Sequence, residues 1–181
     1  MNRLGRRVAL LDRVGVGVGV AVLLLSGAGS AGAQQSSPEQ QRLDFLVGDW
    51  ATVSETSDGV KISGTLSCHW VLGHQWLQVA FEGHPADGRV WEAHAMIKYD
   101  PERAEYVSYA FFNADDPVRY RGYPVDDTTL RFEHESTGGT FGIDYRRNPD
   151  GTVYQENWVM LVDGASRVTL KTSYSPAGDT P

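Results

Sequence analysis

From Trp50 to Tyr174, apolar and polar side chains alternate with period two, and turn residues break the pattern at short intervals. Alternation places successive side chains on opposite faces of an extended chain, so it predicts half-buried β-strands. Ten strands are predicted: Trp50 to Thr56, Lys61 to Val71, Gln75 to Glu82, Val90 to Tyr99, Glu105 to Phe112, Val118 to Val125, Thr129 to Glu135, Thr140 to Arg147, Thr152 to Leu161 and Arg167 to Tyr174. The breaks carry hairpin chemistry. Ser57 to Gly59, Ala86 to Gly88, Asp100 to Arg103, Asn148 to Gly151 and Asp163-Gly164 supply the left-handed or Asx-turn residues that tight connections require. A meander of such strands loses its exposed edges by closing on itself, which predicts an all-β, antiparallel up-and-down barrel of about ten strands. Ahead of it, Ser37 as cap and Pro38 in the first turn predict one short helix, with Leu43 and Leu46 three apart and Gly48 as its stop.

The same alternation assigns inner faces. Ile62, Leu66, Cys68 and Trp70 share one, as do Leu77, Val79 and Phe81. Val107, Tyr109 and Phe111 form another row, followed by Leu130, Phe132 and His134, then Phe141, Ile143 and Tyr145, then Val168, Leu170, Thr172 and Tyr174. His134, Tyr109, Tyr145 and Thr172 bring polar atoms onto these rows, and such atoms need partners in each other, water or a ligand. An eight-stranded barrel is only just filled by its own side chains, whereas one of about ten has room for a small apolar molecule. The expected ligand contacts are therefore His134, Tyr109, Tyr145, Phe132, Phe111 and Trp70.

Leu43-Asp-Phe-Leu-Val-Gly-Asp-Trp50, with Gly48 and Trp50 opening the first strand after a short helix, resembles the calycin opening of lipocalins and nitrobindin-like proteins. Downstream, Trp70 to Gly73, Met96 to Pro101, Tyr106 to Phe112 and Tyr120 to Gly122 are similar to a family of bacterial exported proteins of unknown function. That resemblance spans residues 43 to 174 and implies a calycin-like barrel with no agreed biochemical role. It also implies that Trp50 plugs the narrow end and stacks under an arginine of the last strand, which Arg167 matches in type and order. Gly48, Trp50 and Arg167 are thus structural expectations, the pair being a cation-π contact. Nitrobindin-like haem binders follow the Trp with further glycines and use a C-terminal histidine; here Ala51, Thr52 and Val53 follow, and no histidine comes after His134. No cofactor is predicted.

The N-terminus changes the setting. Arg3, Arg6, Arg7 and Arg13 precede an uncharged run from Val14 to Ala33, centred on Ala21 to Leu25 and ending Ala31-Gly32-Ala33. This is a secretory signal pattern with cleavage before Gln34. Residues 1–33 are read as signal peptide, 34–41 as linker, 42–175 as barrel and 176–181 as disordered tail, in an exported, periplasmic or secreted protein. Cleavage removes four Arg and one Asp, leaving 12 basic against 22 acidic side chains and a formal charge of −10. That charge argues against nucleic acid as a partner, and against a membrane partner after cleavage. With one cysteine, Cys68, no intrachain disulfide can form, so the core must hold the domain together.

Other chemistry is thin. Cys68 and His69 are adjacent on a strand and point to opposite faces, so they cannot ligate one metal together with His74. Asp115-Asp116 and Asp126-Asp127 read as solvated turn acids, and no Gly-x-Ser-x-Gly elbow, His-Glu-x-x-His pair or phosphate loop occurs. The leading expectation is a non-enzymatic carrier of a small hydrophobic or aromatic molecule. The alternatives are a cavity isomerase or hydrolase using His134 as base, and a packed barrel whose outer face, at Trp76, Trp91 or Trp158, binds another protein.

Overall fold

The computed structural model describes residues 37–113 and 115–178; the expected signal peptide (1–33), most of the expected linker and the end of the expected tail lie outside the described residues. The predicted helix is present as α1 (Pro38–Gln41), where Ser37 Oγ accepts from Gln40 N–H at 3.2 Å, and a 3-10 turn follows at Asp44–Leu46. Ten strands come next: β1 (Gly48–Thr56), β2 (Lys61–Val71), β3 (Trp76–Pro85), β4 (Trp91–Asp100), β5 (Glu105–Phe112), β6 (Asp115–Pro124), β7 (Thr129–Ser136), β8 (Gly139–Arg147), β9 (Val153–Leu161) and β10 (Ser166–Pro176). Each pairs antiparallel with its neighbours in chain order, and β1 closes on β10 in the register Trp50↔Pro176 to Thr56↔Leu170. The fold is a closed up-and-down barrel, as the alternation predicts. Pairing extends past Tyr174 to Pro176, and Ala177 N–H donates to Asp49 O at 2.8 Å.

One end of the barrel is plugged. Leu43 and Leu46, carried by the helical segment, are buried with Trp50, whose Nε1–H donates to Leu46 O at 2.9 Å. Tyr106 Oη donates to Glu39 O at 2.6 Å, and Trp70 Nε1–H to Asp44 Oδ1 at 2.8 Å, so side chains of β2 and β5 tie the plug down. Gly48, at φ +140°, lets the chain turn from plug into β1 against the Trp50 ring. Because Leu43 is fully buried in this core, Leu43→Ala should lower the unfolding free energy by about 2 to 4 kcal/mol. Urea denaturation measures it, and a loss under about 1 kcal/mol would mean that the plug lies outside the cooperative unit.

Two features set which side chains reach the interior. Registers shift between Ala110 and Phe112 in β5 and between Val168 and Leu170 in β10, where bulges change the phase of alternation. In addition, β6 and β7 pair only from Arg121↔Glu133 to Pro124↔Leu130, so the half of this seam nearer the open end carries no ladder.

Three expectations need correction. On β5 the buried inner row is Tyr106, Ser108 and Ala110, continued by Phe112 at the open end, while Tyr109 and Phe111 are exposed on the outside at 39% and 42%. Both rows of this strand are apolar, and the smaller side chains are the ones turned inward. Val168 pairs with Trp158 ahead of the bulge and leaves the inner row that Leu170, Thr172 and Tyr174 keep. Arg167 does not cover Trp50 either. It pairs with Val159 beyond the point where β1 ends, at the open end, and Tyr174 meets Trp50 edge-on at 6.4 Å between ring centres.

Candidate ligand-binding site

Small side chains on the inner face make room. On β4 and β5, Ala95 faces Ala110 and Ile97 faces Ser108 across the ladder, with Ala93 opposite Phe112. Above the plug these positions leave a cavity of about 770 Å³, open at the end away from α1. At its floor the packing against the plug is close, leaving a void of only about 10 Å³ lined by Trp50, Cys68 and Tyr174 among others.

The walls differ in chemistry. Phe81, Phe112, Phe132, Phe141 and Ile143 give an apolar and aromatic side, with Trp91 at the rim. Opposite them, β9 and β10 present Gln155, Asn157, Thr169 and Thr172. Several of these polar groups bond one another or nearby strands: Gln155 Nε2–H donates to Asn157 Oδ1 at 2.6 Å, Tyr174 Oη donates to Gln155 Oε1, and Thr172 Oγ1 and Ser54 Oγ share a bond of 2.8 Å. Tyr120 on β6 and Tyr145 on β8 complete the lining near the floor, with Phe132 of β7 between them and edge-on to Tyr145 at 6.0 Å. The charged lining residues, Arg89 and Glu92, sit at the rim, and Arg89 is held by Asp87 at 2.6 and 2.7 Å.

The interior is electrically quiet over a wide pH range. Burial raises the Tyr120 hydroxyl, and it raises Tyr145 and Tyr174 further, with neighbouring tyrosines and Cys68 adding to the effect. Burial, with the Asp49 charge second, lifts the Cys68 thiol to about 12, and burial puts Tyr106 at about 12. All these groups are neutral when folded, so their contribution is complete below the pH at which the unfolded chain ionises, from 9.0 for the thiol and 10.0 for the phenols, and is lost above it. Each adds a slope of about 1.4 kcal/mol per pH unit in that window. Urea midpoints should therefore be flat from about pH 6 to 8.5 and fall steeply above about 10. Tyr145→Phe should flatten the alkaline limb, and an unchanged limb would contradict a buried neutral phenol there.

Of the six expected contacts, the cavity brings together Phe132 and Tyr145. Tyr109 packs outside against Trp76 at 6.2 Å, a ring also covered by Lys98 Nζ at 4.9 Å, and Phe111 is likewise outside. Trp70 belongs to the plugged end, stacked on His74 at 4.8 Å. His134 does not line the cavity. Its Nδ1 lies 3.1 Å from Arg119 O, at the stretch where β6 and β7 have no ladder, so the imidazole serves a carbonyl that a strand neighbour would otherwise take. Sequence reasoning missed Phe112, Gln155 and Asn157; the signal for the cavity was the run of small inner residues Ala93, Ala95, Ser108 and Ala110. Among the described residues no three His, Cys, Asp or Glu side chains gather as a metal site, and Cys68 and His69 face opposite sides, the first buried and the second exposed.

A family model described as "Protein of unknown function (DUF1579)" matches residues 35–147, more than half of the chain. The chain belongs to the DUF1579 family. No curated protein matches it significantly. Among solved structures, this DUF1579 barrel is similar to Rv2717c from M. tuberculosis, with 13% identity and a TM-score of 0.56 over 77% of this chain and 98% of that one. It is also similar to the S-type phycobiliprotein lyase CPES from Guillardia theta, with 8% identity and a TM-score of 0.55 over 82% and 96%. These likenesses establish a calycin-like fold. The DUF1579 match stops at Arg147, so β9 and β10, which close the ring and carry the polar wall, lie beyond it.

Proposed function

We propose that this chain is an exported carrier that holds a small, uncharged, hydrophobic or aromatic molecule inside the barrel. The observation that carries the reading is the cavity itself: about 770 Å³, open at one end, aromatic on one side and hydrogen-bonding on the other. That volume and that mixture of walls fall in the range of small-molecule sites. Among the described residues the charged lining stands only at the rim, which favours a neutral occupant, because an unpaired ion below it loses its hydration without compensation. Export rests on the arginine-rich start, the uncharged run and the Ala31-Gly32-Ala33 end of the first 33 residues.

Native and denaturing mass spectrometry of the protein purified from its host tests the carrier role. Extra mass lost on denaturation is expected, and adding the released compound back at about 100 times its Kd should stabilise the fold by about 2.7 kcal/mol. A clean mass in both states, with no thermal shift across a panel of apolar and aromatic compounds, would sink the proposal. Export is tested by N-terminal sequencing of the protein outside the cytoplasm, where the chain should begin at Gln34. Recovery of the chain only in the cytoplasm with Met1 intact would overturn it.

A further inference from the structure

Two tyrosines on the cavity lining are unlike the others around them. Tyr106 Oη donates to Glu39 O, and Tyr174 Oη donates to Gln155 Oε1. Tyr106 belongs to the plug, whereas Tyr120 and Tyr145 line the cavity with Tyr174, yet neither the Tyr120 nor the Tyr145 hydroxyl has a hydrogen-bond partner among the described residues. Neither is a fully buried orphan, a description that among the described residues fits Thr52 Oγ1. Each hydroxyl instead meets the open space of the cavity, its donor free for an occupant. These two come from strands on either side of β7, Tyr145 edge-on to Phe132 at 6.0 Å, and Tyr120 is near enough to contribute to the shift at Tyr145.

We propose that Tyr120 and Tyr145 are the donors of a receptor for the carbonyl oxygen of an uncharged apolar compound, such as a ketone, quinone or ester. This deepens the carrier reading and rests on it. A carbonyl oxygen has two lone pairs and can accept from both hydroxyls. Burial holds both phenols in their protonated, donating form. A carboxylate could accept the same bonds, but it would carry its charge into a lining whose charged residues stand only at the rim. The carbonyl end enters first, and the aromatic body lies along Phe81, Phe112 and Phe141.

The test uses three probes with one aromatic body: a fluorescent dimethylaminonaphthalene bearing a propionyl ketone, the parent without the acyl group, and the corresponding carboxylate. Fluorescence titration of the purified protein should show the ketone binding about tenfold tighter than either comparator, the size expected for one to two added hydrogen bonds. In the Tyr120→Phe/Tyr145→Phe double variant that preference should vanish, and the bound ketone's emission should move to the blue as its carbonyl loses its donors. The outer-face variant Tyr109→Phe should change neither reading. The double variant should also melt no lower than the natural protein, since the hydroxyls it removes have no protein partner; a marked fall in Tm would assign them a structural role instead. Equal binding of ketone and parent, or an unchanged preference in the double variant, overturns the carbonyl receptor and leaves the carrier reading standing. If none of the three probes binds, the carbonyl receptor falls, and the carrier reading is decided by the mass-spectrometric and thermal-shift tests above.

Discussion

Ala95→Phe, and separately Ala110→Phe, should abolish ligand uptake while the barrel stays folded. The two alanines face each other across β4 and β5 on the inner wall, where their small side chains leave the lumen open. A phenyl ring at either position projects into existing space, so it displaces the ligand without forcing the overpacking that a filled core would suffer. A loss of more than about 100-fold in affinity, equivalent to ~2.7 kcal/mol, is expected, with Tm unchanged or raised. Titration of the host-derived ligand and a thermal melt measure the two effects. The contrast is Phe111→Ala, which removes a large aromatic from the outer face of the same strand and should leave affinity untouched. If Phe111→Ala weakened binding and Ala95→Phe did not, the inner and outer faces of β5 would be wrongly assigned.

Gly64→Ala should destabilise the fold more than any other single methyl addition on the β2–β3 hairpin. A Cβ at position 64 would lie 2.2 Å from Glu82 O, 3.0 Å from Gly83 Cα and 3.0 Å from Thr52 Oγ1. The first two are backbone atoms of the paired strand, so relief requires the ladder itself to move. Gly64 and Gly83 are opposite each other in the register, so the two backbones approach at that point with no Cβ between them. Thr52 Oγ1, already the buried side-chain atom without a partner among the described residues, would be pressed as well. A loss of about 3 kcal/mol or more is expected in urea denaturation. Gly138→Ala, where the nearest atom is Ser136 Oγ at 3.9 Å, supplies the near-neutral control. Equal stabilities for the two variants would show that the β2–β3 ladder has room for a Cβ at position 64.

The strands were legible because each has a polar turn at its ends and alternation between them. Lys61 to Val71 and Glu105 to Phe112 coincide with β2 and β5 residue for residue. The direction in which a strand faces is harder to read when both of its rows are apolar. On β5, bulk points to Val107, Tyr109 and Phe111, but an inner wall with a cavity needs small residues, and Ser108 and Ala110 take that side. Bulges are equally silent in the sequence, and the one between Val168 and Leu170 resets the phase of the last strand. His134 has the correct parity for the interior, yet its role depends on a ladder that stops at Arg121↔Glu133. No local pattern announces where two strands part. The Trp50 and Arg167 pair failed for a related reason: matching two residue types in order along the chain says nothing of register, and β1 meets β10 nearer its C-terminal end.

Closure of the ring by its first and last strands has a consequence for how the molecule is made. Thr52 pairs with Tyr174 and Trp50 with Pro176, so the ladder joining β1 to β10 exists only once nearly the whole barrel sequence is available. Until then a growing chain has two bare strand edges and an unroofed lumen, and contacts between such distant residues are slow to form. Synthesis from the N-terminus therefore delivers the chain in an extended, unfinished condition, with its last hydrogen bonds deferred to the final residues. A protein built in this order remains threadable until the ladder closes, which is compatible with the export proposed above, where release from a translocation pore would be the moment at which the barrel forms.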